Sequence, residues 1–250
     1  MENRNAHLLR ELRGELRQAA DPKRAAAVQK YFKTGKGEYA EGDIFLGVAA
    51  PQARAAVKKY WREISIADVQ TLLQSEIHEE RTAALLILVK KFEKSDPAGQ
   101  AAIFDLYLGN TKHINNWDLV DLSAPKIVGA YLEGRDKSIL FELAKSKNLW
   151  ERRIAMLVTF WFIGKGEAEC ALKIAAMIIN DKEDLIHKAV GWGLREIGKR
   201  CGKEIEEEFL NKHYKTMPRM ALRYAIERFS GERREHYMKR VSLKHSSMVK

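Results

Sequence analysis

In the run NNWDLVDLSAP, which begins at Asn115, Trp117 and Asp121 stand four residues apart, so on a helix an indole and a carboxylate share one face. Four residues further on, Pro125 has no N–H to offer the carbonyl of Asp121. A carboxylate and an electron-rich ring both stabilise a nearby cation, the first by charge and the second by its quadrupole. Breaking an N-glycosidic bond creates such a cation, a sugar oxocarbenium ion at C1′. A purine alkylated at N3 or N7 already carries positive charge, so it leaves as a neutral molecule and needs no general acid. One carboxylate about 4 Å from the developing charge is worth about 4 kcal/mol at an effective dielectric near 20, on the order of a thousandfold in rate. Trp150 with Arg152 and Arg153, and Trp192 with Arg195, repeat the pairing of ring and charge, and their guanidinium forks suit phosphates.

Each of these side chains also has a plainer role open to it. Trp117 fits an ordinary core indole, and Asp121 could pair with an arginine of a neighbouring helix. Asp118 follows the candidate cap Asn116 and belongs to the helix dipole. Arg152 and Arg153 fit a solvated charge pair, and Trp150 and Trp161 fit packing between helices. Gly191 and Gly193 flank Trp192; they cost helix propensity, and the absence of side chains there points to an indole open to close approach. His78, His113 and His187 form no metal-spaced set, and the sequence carries no P-loop, GxGxxG or serine-nucleophile motif. No metal site and no cofactor are expected.

The elements that must position these residues read almost throughout in the helical period. Leu8, Leu12 and Leu16 form a narrow stripe, and Ile77, Ala84, Leu85, Leu88 and Phe92 line one side of another segment. Similar stretches begin at His78, Asn115, Asn148, Leu185 and Met217, in steps of 37, 33, 37 and 32 residues. Each starts at a polar turn and runs on as an amphipathic helix, with second helices such as DKSILFELAKS and EIEEEFLNKHY between them. A period in the thirties built of helix pairs predicts an all-α fold, an α-solenoid of HEAT-like pairs with a concave basic groove; an irregular helical bundle is the alternative. In such an array Trp117, Asp121, Trp150, Arg153, Trp192 and Arg195 all occupy opening helices and become candidates for one groove. Pro51 and Pro218 read as first-turn prolines, whereas Pro22 and Pro97 read as connectors. One domain over residues 1–240 is expected, followed by a basic tail at 241–250.

Composition narrows the class of function. With 46% apolar and 31% charged residues the chain is of globular type. Its formal charge is +10, and from Leu185 to Lys250 sixteen Lys and Arg face eight Asp and Glu. Basic side chains that meet phosphates bind by releasing counterions, which gives affinity without sequence preference. Apolar runs such as IAMLVTFWFIG are too short to span a bilayer, where ~20 residues are needed, and the charged N-terminus does not read as a signal peptide. Cys170 and Cys201 form no paired motif, which fits a reducing cytoplasm. Nothing in the pattern demands an oligomer, so a monomer is expected.

Taken in order, NNWDLVDLSAP, LWERRIAML and HKAVGWGLREIGK resemble the HEAT-like-repeat DNA alkylation repair proteins of AlkD type, the alkylpurine DNA glycosylases. IFLGVAAPQAR is similar as well, so the resemblance runs from about Tyr31 to Lys199. It implies that Asp121 stabilises the oxocarbenium ion and positions water, and that Trp117 and Trp192 pack against the lesion's deoxyribose. It further implies that Arg153, rather than its neighbour Arg152, is the arginine of the active groove. Arg54 and Arg195 would contact the DNA backbone, and Tyr31 would lie near the duplex, with Phe32 one residue away in register. The implied substrate is double-stranded DNA carrying 3-methyladenine or 7-methylguanine. No motif sets a lysine beside Asp121, so a monofunctional enzyme without strand-nicking activity is expected. The family also contains non-catalytic DNA binders, which keeps a binder of damaged or branched DNA as the alternative, with a helical scaffold for a protein partner as a third reading. The loop between Tyr31 and Val48 departs from the family in its length, and its glycines predict mobility.

Overall fold

The structure, a computed structural model, describes the backbone of residues 2–239 and the side chains of residues 7–239; the expected basic tail at 241–250 lies outside them. The described residues form α1 (Glu2–Gln18), α2 (Pro22–Tyr31), α3 (Ala50–Tyr60), α4 (Ile66–Leu73), α5 (His78–Lys94), α6 (Pro97–Gly109) and α7 (Trp117–Ala124). They continue with α8 (Ser138–Lys145), α9 (Leu149–Ile163), α10 (Glu169–Ile178), α11 (Asp184–Arg200), α12 (Lys203–His213), α13 (Arg219–Ala225) and α14 (Gly231–Met238). An isolated parallel bridge joins Ile44 to Ile77, and no named strand occurs among the described residues. The fold is all-α, as the helical period implied.

Packing divides the chain into two compact units, the first ending at Lys137 and the second beginning at Ser138. In the first unit α5 is the centre, flanked by α3, α4, α6 and α7, with α1 packed on α3, α4 and α5. Its interior face follows the apolar period, and Ala84, Leu85, Leu88 and Phe92 are buried as expected, whereas Ile77 is the half-buried residue just before the helix. The first turn of α5 is also buried although it reads His78, Glu79, Glu80 and Arg81. Buried charge requires partners, and each of these has one. Glu80 binds Arg13 of α1 at 2.9 Å. Glu79 accepts the backbone N–H groups of Leu46, Gly47 and Val48 at 2.9, 2.8 and 3.2 Å. The loop expected to be mobile is therefore tied at its second half. Gly47 is required there: its φ is +79°, and a Cβ would meet the Asp21 carbonyl at 2.3 Å.

In the second unit, α9, α11 and α13 pack side by side in one layer, with α8, α10 and α12 against them, a solenoid-type stack. The opening helices of the repeats are thus the most buried ones, and Trp150 is a core residue of α9. Gly191 and Gly193 serve this packing rather than opening the indole. A Cβ on Gly191 would meet the Ala221 carbonyl of α13 at 2.3 Å, and one on Gly193 would meet Met156 of α9 at 2.1 Å. The prolines correct another expectation, since Pro22 and Pro97 are the first residues of α2 and α6. Their missing N–H is harmless there, and Asp21 and Asp96 cap the helices just before them.

Candidate active site

α7 begins at the cap Asn116, whose side-chain oxygen accepts the Trp117 N–H at 2.8 Å. Leu119, Val120, Ser123 and Ala124 face the interior, while Trp117, Asp118, Asp121 and Leu122 are half-buried along the other side. Trp117 and Asp121 are thus one turn apart on the less buried side of α7. Beyond Ala124 the chain runs as a π-helical turn over Pro125–Gly129, and the Ala130 N–H reaches the Pro125 carbonyl. Pro125 cannot close the bond to Asp121, and the helix widens there, a local distortion common at functional sites. On the interior side Tyr107 hydrogen-bonds Ser123 at 3.0 Å. Burial pushes the Tyr107 phenol up, the Ser123 bond opposes that, and the charge of Asp121 adds to the rise. Asp121 thus lies within electrostatic reach of this buried ring.

The loop after α2 builds the aromatic surroundings. Phe32, only 8% exposed, stacks flat on Trp117 with centroids 5.0 Å apart and planes 3° from parallel. Tyr31 is 68% exposed and stands edge-on to the same indole at 6.2 Å. The two neighbours differ sharply: Phe32 is committed to the core with Phe45 and Ala40, and Tyr31 is open to a partner. Tyr39 hydrogen-bonds Trp117, and as a donor-only group the indole supplies the proton. Burial raises the Tyr39 pKa, and this bond partly offsets it. Trp117 is accordingly fixed on one face and at its nitrogen.

Beside it lies a charged cluster with no recognisable motif in the sequence. His78 is 3% exposed, with Nε2 2.8 Å from Asp118 Oδ2 and Nδ1 3.4 Å from Asp43 Oδ2. Asp43 also binds Arg81 at 2.7 Å and accepts from the Asn116 amide at 3.4 Å. Burial lowers the His78 pKa, but the bonds to Asp118 and Asp43 outweigh it and the net direction is upward. Burial likewise raises Asp43, and His78 and Arg81 overcome it and hold its carboxyl below the usual range. Asp118, assigned from the sequence to the helix dipole alone, is also a partner of this histidine.

In the second unit, Arg152 is a structural residue. It grips Asp181 through two nitrogens at 2.5 and 3.1 Å and donates to the carbonyls of Ser146 and Lys147. Arg153 is buried too, and its Nη1 donates to the Leu185 carbonyl at 2.6 Å, holding the start of α11. Trp192 is half-buried and meets Phe160 edge-on at 4.6 Å. Arg195 is paired with Glu227, and Arg54 stands exposed on α3 of the first unit. Among the described residues no group of three or more His, Cys, Asp and Glu could hold a metal ion, and no helix is long and apolar enough to cross a membrane.

A family model described as DNA alkylation repair enzyme matches residues 12–229. Among solved structures the chain is similar to a predicted DNA alkylation repair enzyme from Enterococcus faecalis, at 19% identity and TM-score 0.65, covering 85% of this chain and 97% of that one. It is also similar to AlkD2 from Streptococcus mutans, at 19% identity and TM-score 0.50, covering 82% and 97%. At this identity the likeness is one of fold. No curated protein matches.

Proposed function

Because the chain belongs to the DNA alkylation repair enzyme family, we propose that it is a cytoplasmic, monofunctional DNA glycosylase, releasing cationic alkylpurines such as 3-methyladenine and 7-methylguanine from duplex DNA. The observation that carries this reading is the less buried side of α7, where Trp117 and Asp121 stand one turn apart beside a π turn. In the proposed reaction the C1′–N bond breaks and its electrons neutralise the purine. Asp121 stabilises the positive sugar, and a water oxygen bonds to C1′ while its proton passes to the carboxylate and on to solvent. Trp117, held by Phe32 and Tyr39, offers its remaining surface to the deoxyribose.

The resemblance assigns Trp192 and Arg153 to the same chemistry, and Arg54, Arg195 and Tyr31 to the duplex. The exposure of Tyr31, against the burial of Phe32, supports the tyrosine as the aromatic that meets DNA. In this reading both units act as one domain over 1–240, as a monomer. The test is release of 7-methylguanine from methylated duplex, run beside Asp121→Asn. A non-catalytic DNA binder is the second reading, favoured by the buried Arg153, which donates to Leu185. It predicts salt-sensitive binding that Asp121→Asn leaves in place, with no base released by either protein.

A further inference from the structure

We propose that His78 is a positioning residue for the acid-bearing helix, tying the loop between Tyr31 and Val48 to α7 through its two ring nitrogens. This rests on the glycosylase reading of Asp121 and Trp117. The geometry is specific. His78 is the first residue of α5, the central helix of its unit. One ring nitrogen meets Asp118, in the first turn of α7, at 2.8 Å; the other meets Asp43, in the loop, at 3.4 Å. The same ring packs on Phe45 at 4.5 Å and on Phe32 at 5.4 Å, and Phe32 is the platform under Trp117. One buried imidazole therefore touches every element that fixes Trp117: the loop, the aromatic platform and the start of α7.

Asp121 follows Asp118 by three residues, so a displacement of the first turn of α7 is passed to it along one helical face. Both ring nitrogens face carboxylates, and both contacts can be hydrogen bonds at once only when each nitrogen carries a proton. The charged groups around the ring are Asp118 from α7, Asp43 from the loop and Arg81 from α5 itself, whose Nη2 is 3.5 Å from Nδ1. Arg81 opposes the protonated ring, and the two carboxylates outweigh it, in line with the upward direction of the His78 pKa. When the proton leaves, one of the two bonds is lost and the loop and α7 are no longer held by a common group. A misplacement of about 1 Å at the acid is enough to slow the chemistry. His78 touches no substrate in this account; it acts through Asp118 and Phe32.

The experiment uses the full chain and the variants His78→Ala, His78→Gln and Asp121→Asn. Single-turnover release of 7-methylguanine is followed from pH 6 to 9, and duplex affinity is measured separately. The Trp117 signal of fluorotryptophan-labelled protein, assigned with Trp117→Phe, reports the position of the indole. His78→Ala is expected to slow release by roughly tenfold or more, to leave duplex affinity within about twofold and to move the Trp117 signal. Glutamine can still donate to Asp118, so His78→Gln recovers most of the rate and of the signal. Any alkaline fall in the wild-type rate that comes from the ring losing its proton is absent in His78→Gln. Equal rates and an unmoved Trp117 signal in His78→Ala would overturn the proposal, as would an alkaline limb that persists unchanged in His78→Gln. If the wild type releases no base, the glycosylase reading fails, and the Trp117 signal alone decides whether His78 positions the helix.

Discussion

Glu206→Gln is expected to make the protein more stable, by an amount that depends on pH. Glu206 is 3% exposed, and its carboxyl lies against Gly198 of α11, where a Cβ would meet it at 1.8 Å. Burial raises its pKa from 4.5 to about 8; the neighbouring Glu207 adds to the rise and Arg195 pulls it back. At pH 7 the unfolded chain ionises this carboxyl and the folded chain does not, so folding must take up a proton. At about 1.4 kcal/mol per pH unit between 4.5 and 7, that costs about 3 kcal/mol. The sign follows from the raised folded value: this carboxyl costs nothing at and below pH 4.5, its cost grows as pH rises, and it stops growing above about 8. Glutamine keeps the shape and never ionises, although an unmet amide N–H returns about 1 kcal/mol of cost. The net gain at pH 7 is about 2 kcal/mol, or roughly 4–8 °C in Tm for a chain of this size. Thermal melts of both proteins at pH 5, 7 and 8.5 measure it. The gain should be absent at pH 5 and largest at pH 8.5; a difference that is the same at all three values would refute the reasoning.

Other outcomes follow from the packing and the charges. Gly191→Ala forces a methyl against the Ala221 carbonyl at 2.3 Å, and should destabilise the protein by about 2 kcal/mol in a urea titration. Glu79→Gln replaces a carboxylate that accepts three backbone N–H groups, and should cost about 2 kcal/mol, with faster hydrogen exchange at Leu46, Gly47 and Val48. Arg195→Ala is expected to weaken binding to damaged and undamaged duplex alike and to lower the salt dependence by about one phosphate contact; weakening confined to damaged DNA would argue against a backbone contact.

The sequence made the repeat readable because its hydrophobic period is local. The stretches expected to open at His78, Asn115, Asn148, Leu185 and Met217 correspond to helices starting at His78, Trp117, Leu149, Asp184 and Arg219. The same local rule found the Trp117 and Asp121 face, since one helical turn is a property of spacing alone. What escaped depends on tertiary proximity. His78 meets Asp43 and Asp118 across 35 and 40 residues, a separation that no motif rule covers. Glycine posed the opposite difficulty: Gly191 and Gly193 weaken a helix in isolation, and only the neighbouring α9 and α13 explain them as contact points. Arg152 and Arg153 look alike in sequence, and it is the partner Asp181 that makes the first a structural clamp.

The most direct test of the account is single-turnover release of 7-methylguanine from methylated duplex by the wild type and by Asp121→Asn, each shown to be folded and to bind DNA. Loss of one carboxylate near the sugar cation should slow release by on the order of a thousandfold, with duplex affinity unchanged or slightly tighter. Equal release by the two proteins would contradict the role given to Asp121, and release by neither would leave a binder of DNA in place of a glycosylase.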